Sequence, residues 1–451
     1  MAKKVGMISL GCPKNQVDAE IMLKKLVDAG YVLVDEAGKA DVVIVNTCAF
    51  IEDSKRESID SILEMIDYKD DSDLKGVVIT GCLAQRYAEE VFAEIPEVDA
   101  VIGLGANDDI VEVCDKVLDG EQYSSFPDKE EMPLEGGRIL TTPEYYAYLR
   151  IADGCSNCCS YCAIPSIRGK FRSRKIEDVL DEAKALAEKG VKELILVAQD
   201  TTRYGEDLYG KLKLPELLDE LNKLENLQWI RLLYCYPERI TDELIDAINR
   251  NEKVCHYVDM PMQHVSGKIL KSMNRPGDRA SLTALINKLR EKIEDVVIRT
   301  TFITGFPGET DEDFTALSEF VNEMKLERVG CFAYSREENT PAYDFPEQVE
   351  KEDALNRADI IMEQQYRINE EKQDSYMDKT YDVIVDGYDS YTDSYYGRTY
   401  MDAPEIDNNI VFTSGYEIEV GEIVPVEIFD KDEYSLIGEA VWKWMYQINW
   451  Q

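Results

Sequence analysis

A chain of 451 residues, 44% of them apolar and 31% charged, is long enough to bury two or three separate cores, and no apolar run approaches the roughly 20 residues that cross a bilayer. Its 90 acidic against 50 basic residues give a formal charge of -40, a field that repels phosphate backbones and favours basic partners. Eleven cysteines, an odd number, behind an amino terminus (MAKKVGMISLGCPKN) that lacks an apolar leader with a cleavage site, predict a cytoplasmic protein whose thiols are metal ligands or core residues instead of disulfides.

In the first segment, short β-branched runs alternate with helical patterns: KKVGMISLGC, NQVDAEIMLKKLVDAG, ADVVIVNTC, a long helical stretch, then GVVITGC. That alternation predicts a parallel sheet covered by helices. Each of the three strand-like runs ends in a cysteine, and Cys12, Cys48 and Cys82 are separated by 36 and 34 residues, one βα unit each. Ligands bind at the carboxyl edge of such sheets, so the three thiols are expected to converge there on a shared metal centre. Cys114, Cys235, Cys255 and Cys331 read as core. GLGAND, from Gly103, lacks the third glycine of a dinucleotide loop and reads as a turn.

Residues 119–143 (DGEQYSSFPDKEEMPLEGGRILTTP) show no clear period and read as a linker. Six candidate strands follow, YYAYLRIADG, ELILVAQD, WIRLLYCYP, HYVDMPMQ, VVIRTTFITG and RVGCFAYS, separated by amphipathic stretches, which predicts a full or partial β/α barrel. Chemistry in such barrels sits at the carboxyl ends of the strands, where Gln199, Asp200, Gln263, Thr304 and Gly305 are candidate cofactor contacts. The only histidines, His256 and His264, receive no role.

QVEKEDALNRADIIMEQQYRINEEKQDSYM reads as a helical connector to a tail of short alternating runs from Lys379 onward, a small antiparallel barrel. Residues 375–451 carry 4 basic and 16 acidic side chains, a net of -12 and the wrong sign for a nucleic-acid module. Tyr395, Tyr396 and Tyr400 fit either core or contact positions in it. The expected domains are 1–138, 139–372 and 373–451.

The stretch GCSNCCSYCAIPSIRG places Cys155, Cys158, Cys159 and Cys162 within eight positions. The adjacent pair Cys158 and Cys159 diverge, which argues against one tetrahedral zinc. Three ligands remain, spaced C-x3-C-x2-C or C-x2-C-x3-C, and either loop can wrap an iron-sulfur cluster. Electron-transfer clusters have every iron capped by cysteine; three ligands leave one iron open, which points to catalysis. The same count holds for Cys12, Cys48 and Cys82.

C-x3-C-x2-C with Tyr161 before its last cysteine resembles the cluster loop of the radical S-adenosylmethionine enzymes, which selects Cys159 over Cys158 and makes Tyr161 a cofactor-side residue. Cys158 departs from that family's usual residue. With GCPKN, VNTC and FITGFPGET (Phe302 to Thr310), the chain resembles the methylthiotransferases from end to end, and ADGCSNCCSYCAIPSIRG, QDTTRYG and GRTYMDAPEID are similar to their RimO-type branch. The resemblance implies an α/β chain: an N-terminal parallel α/β domain, a radical barrel (a partial TIM-type β/α barrel) and a C-terminal antiparallel TRAM β-barrel. It implies two 4Fe-4S clusters, one on Cys12, Cys48 and Cys82 and one on Cys155, Cys159 and Cys162; no catalytic residue is assigned beyond these ligands.

By the same resemblance, the second cluster cleaves S-adenosylmethionine to a 5'-deoxyadenosyl radical that takes hydrogen from an unactivated C–H bond, and the first delivers a methylated sulfur. An external electron donor protein and a sulfide source are implied. The implied substrate is the β-carbon of an aspartate in small-subunit ribosomal protein twelve, a basic partner suited to the acidic tail. The alternative is a tRNA methylthiotransferase of the MiaB type acting on a modified adenosine; it expects a basic tail, which the -12 balance opposes. A third reading, a non-enzymatic iron-sulfur sensor, expects closed clusters. Nucleic acid is not the primary target, and no membrane partner is expected.

Overall fold

The computed structural model describes residues 2–433 and 435–441. The β-branched runs near the amino terminus form a six-stranded sheet from β1 (Lys4–Ser9), β2 (Val32–Leu33), β3 (Val42–Thr47), β4 (Gly76–Gly81), β5 (Ala100–Ile102) and β6 (Tyr123–Ser125), in the order β2-β1-β3-β4-β5-β6. Every pairing is parallel. Strands β3 and β4 are buried along their whole length because helices cover both faces. Val42 and Ile44 pack with Met22 and Leu26 of helix Pro13–Asp28, while Val43 and Val45 pack on the other face with Ile62 and Met65 of helix Glu52–Asp71, the period of two that a strand imposes. GLGAND forms a short 3-10 helix, Leu104–Asp109.

The stretch read as a linker is built into the fold. Its residues Tyr123–Ser125 add β6 beside β5, Met132 is buried, and Arg138 is buried with Nη1 donating to the Tyr148 carbonyl (2.8 Å) and to Glu20 (3.1 Å) while Nη2 pairs with Glu182 (2.7 Å). A three-residue edge strand and long-range ion pairs leave no periodic signature.

The second sheet contains β7 (Tyr146–Arg150), β10 (Glu193–Val197), β11 (Trp229–Leu232), β12 (Val254–Asp259), β13 (Val297–Thr304) and β14 (Arg328–Ala333), all parallel and neighbours in chain order. It is a partial barrel, open between β7 and β14. A two-stranded clasp, β8 (Ala152–Asp153) against β9 (Arg172–Ser173), brackets the cysteine stretch. Alternate residues face opposite ways: Ala147, Leu149, Leu194 and Leu196 pack outward, whereas Tyr146, Tyr148, Ile195 and Val197 line the lumen. The expected connector is the barrel's last helix, Lys351–Asp374, whose Ala354, Ala358, Ile361 and Ile368 are buried and whose Gln365 donates to the Leu326 carbonyl (3.0 Å). Its polar outer face gave it the character of a solvated connector.

The tail forms a closed five-stranded barrel, β15 (Thr380–Asp389), β16 (Ser394–Arg398), β17 (Ile410–Thr413), β18 (Ile423–Lys431) and β19 (Leu436–Ala440), in the order β15-β16-β17-β19-β18. Four pairings are antiparallel and β17 with β19 is parallel. An odd number of strands cannot close with every neighbour reversed, so one parallel pair is a topological necessity. Tyr395 stacks on Phe412 in this barrel, Tyr396 is exposed, and Tyr400 packs towards the larger barrel, its hydroxyl donating to the Asp295 carbonyl (3.1 Å).

The loop between β16 and β17 plugs the large barrel from its amino-terminal end. Met401 and Ala403 join the lumen cluster, Glu193 at the start of β10 pairs with Arg231 (2.7 Å) and Arg398 (2.8 Å), and Arg328 at the start of β14 pairs with Asp402 (2.7 Å). The carboxyl ends of the strands are left to the cysteines.

Candidate cluster sites

Cys12, Cys48 and Cys82 follow the carboxyl ends of β1, β3 and β4, three adjacent strands. Cys12 caps helix Pro13–Asp28, Cys48 follows β3 directly, and Cys82 opens helix Cys82–Arg86. The turns are held by amides. Asn15 Nδ2 donates to the carbonyls of Leu10 (2.7 Å), Asn46 (3.3 Å) and Thr47 (3.2 Å), and the Ser58 hydroxyl donates to the Cys48 carbonyl (2.8 Å) while accepting from its N–H (3.0 Å). Gly11 has φ of +89°, and a Cβ there would lie 2.7 Å from the Cys48 sulfur, so only glycine allows this approach.

The thiols of this set sense one another. Burial pushes the Cys82 thiol up to about 12, against the pull of Arg168 and with the charges of Cys12 and Cys48 adding to the rise. Burial and then the charge of Cys12 also raise Cys48. At Cys12 burial is outweighed by the Lys14 and Arg168 cations and by backbone N–H groups, and the thiol is lowered. All three are free cysteines. Among the described residues no three His, Cys, Asp or Glu side chains are placed to hold a single metal ion. A cubane, which spreads its ligands over separate irons, asks for a wider set of soft thiolates, and these residues fit it.

Cys155, Cys159 and Cys162 lie in the loop after β8, with Cys155 and Cys159 buried and Cys162 half-buried. Cys158 is exposed at a φ of +52°, its sulfur 3.8 Å from the Ser156 carbonyl oxygen. Burial and the charge of Cys159 push the Cys155 thiol up to about 11, and burial followed by the same charge raises Cys162. The loop is tied to the segment 272–275. Ser160 donates from N–H to the Met273 carbonyl (3.0 Å) and from its hydroxyl to that of Ser272 (2.8 Å), and Asn274 Nδ2 donates to the Cys158 carbonyl (2.9 Å). Cys159 Sγ is 3.2 Å from the Tyr236 hydroxyl, and the Arg275 guanidinium stands 4.2 Å over the Tyr236 ring. Tyr161 packs against the barrel's outer core with Arg275 beside its hydroxyl. Cys114, Cys235, Cys255 and Cys331 are buried in apolar clusters.

The other candidates divide. Gln199 donates to Asp153 Oδ1 (2.9 Å), and its carbonyl oxygen is buried without a partner, an orphan acceptor beside the cysteine loop. Asp200 accepts from Asn157 (2.8 Å), Arg239 (3.0 Å) and Thr202 (2.6 Å), so it braces that loop. Gln263, at φ of +68°, extends the ladder beside β13 through its backbone and has no side-chain hydrogen bond among the described residues. The Thr304 hydroxyl donates to the Ala354 carbonyl (2.9 Å), and a Cβ on Gly305 would lie 2.2 Å from the Ala354 Cβ, so both meet the last barrel helix. Of the histidines, His256 contacts Asp295, while buried His264 accepts at Nδ1 from Ser266 N–H (3.0 Å) and is lowered by burial to about 4.

A buried ion network that sequence reasoning missed joins the two cysteine sets. Arg168, which ends the short helix Ile164–Arg168 after Cys162, donates through Nη1 to Asp153 Oδ1 (3.2 Å) and through Nη2 to Asp18 (2.9 Å) and Asn15 (3.3 Å). Arg150 pairs with the same Asp18. Ala163 and Ile167 of this segment pack in the same apolar cluster as Cys82 and Leu83. The quoted motifs GCPKN and SIRG contained Asn15 and Arg168, but nothing local in them signals a contact across 153 positions.

Residues 4–103 match the uncharacterized protein family UPF0004, residues 149–321 the radical SAM superfamily, and residues 379–441 the TRAM domain. The ribosomal protein uS12 methylthiotransferase RimO of Lachnoclostridium phytofermentans is 49% identical over 438 residues, 97% of this chain and 100% of that protein. RimO of Clostridioides difficile is 48% identical over 98% of this chain and 99% of its own length. A solved structure of the radical S-adenosylmethionine methyltransferase TsrM from Kitasatospora setae, with cobalamin and a [4Fe-4S] cluster bound, aligns with a TM-score of 0.54 at 16% identity over 76% of this chain and 77% of that one, a likeness of fold alone. With two cysteine triads at the carboxyl edges of two parallel sheets, a TRAM barrel behind them and near-complete alignment to these relatives, the chain belongs to the RimO family of radical S-adenosylmethionine methylthiotransferases and is an enzyme of the transferase class.

Proposed function

We propose that this protein inserts a methylthio group at the β-carbon of an aspartate in ribosomal protein uS12. The observation that carries the reading is the pair of three-thiol sets joined through Arg168, in a chain 49% identical to an enzyme named for modifying uS12. Three thiolates per set leave one corner of each cubane free for a ligand, and when bound the two clusters supply the electron that cleaves S-adenosylmethionine and the sulfur that is transferred. Cys155, Cys159 and Cys162 hold one, and Cys12, Cys48 and Cys82 the other. Gln199 offers its orphan carbonyl to the cofactor, while Asp200, Asn274 and Ser160 fix the loop that carries the ligands. Gln263 flanks the cofactor side, Tyr161 braces the cluster loop from the barrel's outer core beside Arg275, and Thr304 and Gly305 set the end of β13 against the last barrel helix.

The division into 1–138, 139–372 and 373–451 gives the sulfur donor, the radical barrel and the substrate-docking barrel. An external electron donor and a sulfide source complete the reaction, in the cytoplasm. No described helix is long and apolar enough to cross a membrane. The acidic tail suits a basic ribosomal protein, so the rate of encounter falls as salt rises.

The test offers the anaerobic, reconstituted enzyme purified uS12 and, in parallel, an adenosine-modified tRNA, with mass spectrometry of both. Methylthiolation of the aspartate peptide alone is expected; methylthiolation of the tRNA instead overturns the proposal in favour of the MiaB type.

A further inference from the structure

The barrel is open between β7 and β14, and its two free edges are finished differently. In a parallel strand alternate residues turn their backbone N–H and C=O towards the paired neighbour and away from it. On β7, Ile151 N–H donates to the Val197 carbonyl (3.0 Å), so Tyr146, Tyr148 and Arg150 turn their backbone groups to the free edge. Each of those three carbonyls is capped, by the Thr142 hydroxyl (2.7 Å), Arg138 Nη1 (2.8 Å) and Arg174 Nη1 (2.7 Å) in turn. On β14, Tyr334 N–H donates to the Thr304 carbonyl (2.8 Å), so Val329, Cys331 and Ala333 form the corresponding set. The strand pairs with β13 alone, and among the described residues no hydrogen bond reaches the free-edge backbone groups of these three.

An unpaired edge is a template for another strand, and proteins blunt it with proline, lysine, a bulge or a covering loop. RVGCFA holds no proline or lysine, and its register with β13 runs unbroken from Arg328 to Ala333. Val329 and Cys331 send their side chains into the outer core, which leaves Gly330 and Phe332 on the lumen side, and Phe332 is 57% exposed. The cations of β13 and β14 are already paired, Arg299 with Asp259 (2.9 Å) and Arg328 with Asp402 (2.7 Å), in a chain of net charge -40. A basic segment arriving here meets complementary charge and no free cation on either strand.

We propose that the free edge of β14 takes up an extended segment of the basic substrate protein as a seventh strand, with Phe332 packing against one of its side chains; this rests on the uS12 reading above. Three N–H and three C=O groups hold such a segment by its main chain, and Phe332 adds an apolar contact. Because side chains alternate along a strand, every second residue of the segment turns into the lumen beside Phe332. A segment that continues past Ala333 reaches the carboxyl edge of the barrel, the edge that the cysteine sets occupy.

The test is residue-resolved hydrogen exchange on the anaerobic, reconstituted enzyme with and without saturating uS12, together with the Kd of wild type and F332S for uS12. Exchange at the amides of Val329, Cys331 and Ala333 is expected to slow by at least about tenfold when uS12 binds, while the amides of Tyr148 and Arg150 on the other edge stay unchanged. F332S is expected to raise the Kd at least about fivefold. No protection of the three amides in an enzyme that methylthiolates uS12, or equal protection of both edges, overturns the inference and leaves the proposed function standing. Protection that rises with enzyme concentration in the absence of uS12 assigns the edge to a second copy of this chain and likewise overturns it, and an F332S enzyme with the wild-type Kd overturns the role of Phe332. An enzyme that neither binds nor modifies uS12 overturns both the inference and the proposed function.

Discussion

Replacing Cys159 by alanine lowers reductive cleavage of S-adenosylmethionine by at least about 100-fold, more than the loss of an outer-sphere partner costs a metal site. Cys158→Ala stays within about twofold of wild type, as an exposed substitution should. Cys158 lies at a φ of +52° with its side chain exposed, whereas Cys159 is 4% exposed and its charge raises the thiols of both Cys155 and Cys162. The measurement is 5'-deoxyadenosine released by the chemically reduced enzyme. The reverse pattern would assign the cluster to Cys155, Cys158 and Cys162.

Arg168→Met destabilises the protein by about 3–5 kcal/mol, the usual cost of breaking a buried ion pair from one side. The guanidinium is 1% exposed and serves two carboxylates; its loss leaves Asp153 with Gln199 and Asp18 with Arg150 alone. Because those carboxylates belong to the barrel and to helix Pro13–Asp28, the loss acts on the seam between the two sheets and on the approach of the two cysteine sets. Adding Asp153→Asn removes one of the stranded charges, so the double variant loses less than the two single effects summed. Urea unfolding of the apo-protein reads both, and an Arg168→Met loss below about 1 kcal/mol would show that the network is not fully withdrawn from water.

What the sequence made legible follows from which signals are local. The strand-terminal cysteines Cys12, Cys48 and Cys82 stood out because a parallel sheet repeats its chemistry once per βα unit, and the structure sets them after adjacent strands. The six barrel strands were readable from their apolar runs, and the C-x3-C-x2-C loop from spacing together with resemblance. Charge pairs across the seam were not: Asp18 and Arg150 lie 132 positions apart, and a lone aspartate in an amphipathic helix looks the same whether it meets water or a guanidinium. Thr304 and Gly305 ended a strand as expected, but only the packed structure shows that the last barrel helix lies against them. GRTYMDAPEID signalled a branch of a family through its residues, while its place as the stopper of the lumen depends on inward-facing Tyr146, Tyr148 and Glu193, which no local pattern joins to it.

The most direct measurement is iron and sulfide content with Mössbauer spectra on anaerobically reconstituted protein, wild type against the Cys12→Ala, Cys48→Ala, Cys82→Ala triple variant. Two three-cysteine cubane sites give about eight irons in the wild type and about four in the variant. About four irons in both would leave the amino-terminal thiols without a cluster and contradict a sulfur-donating site there.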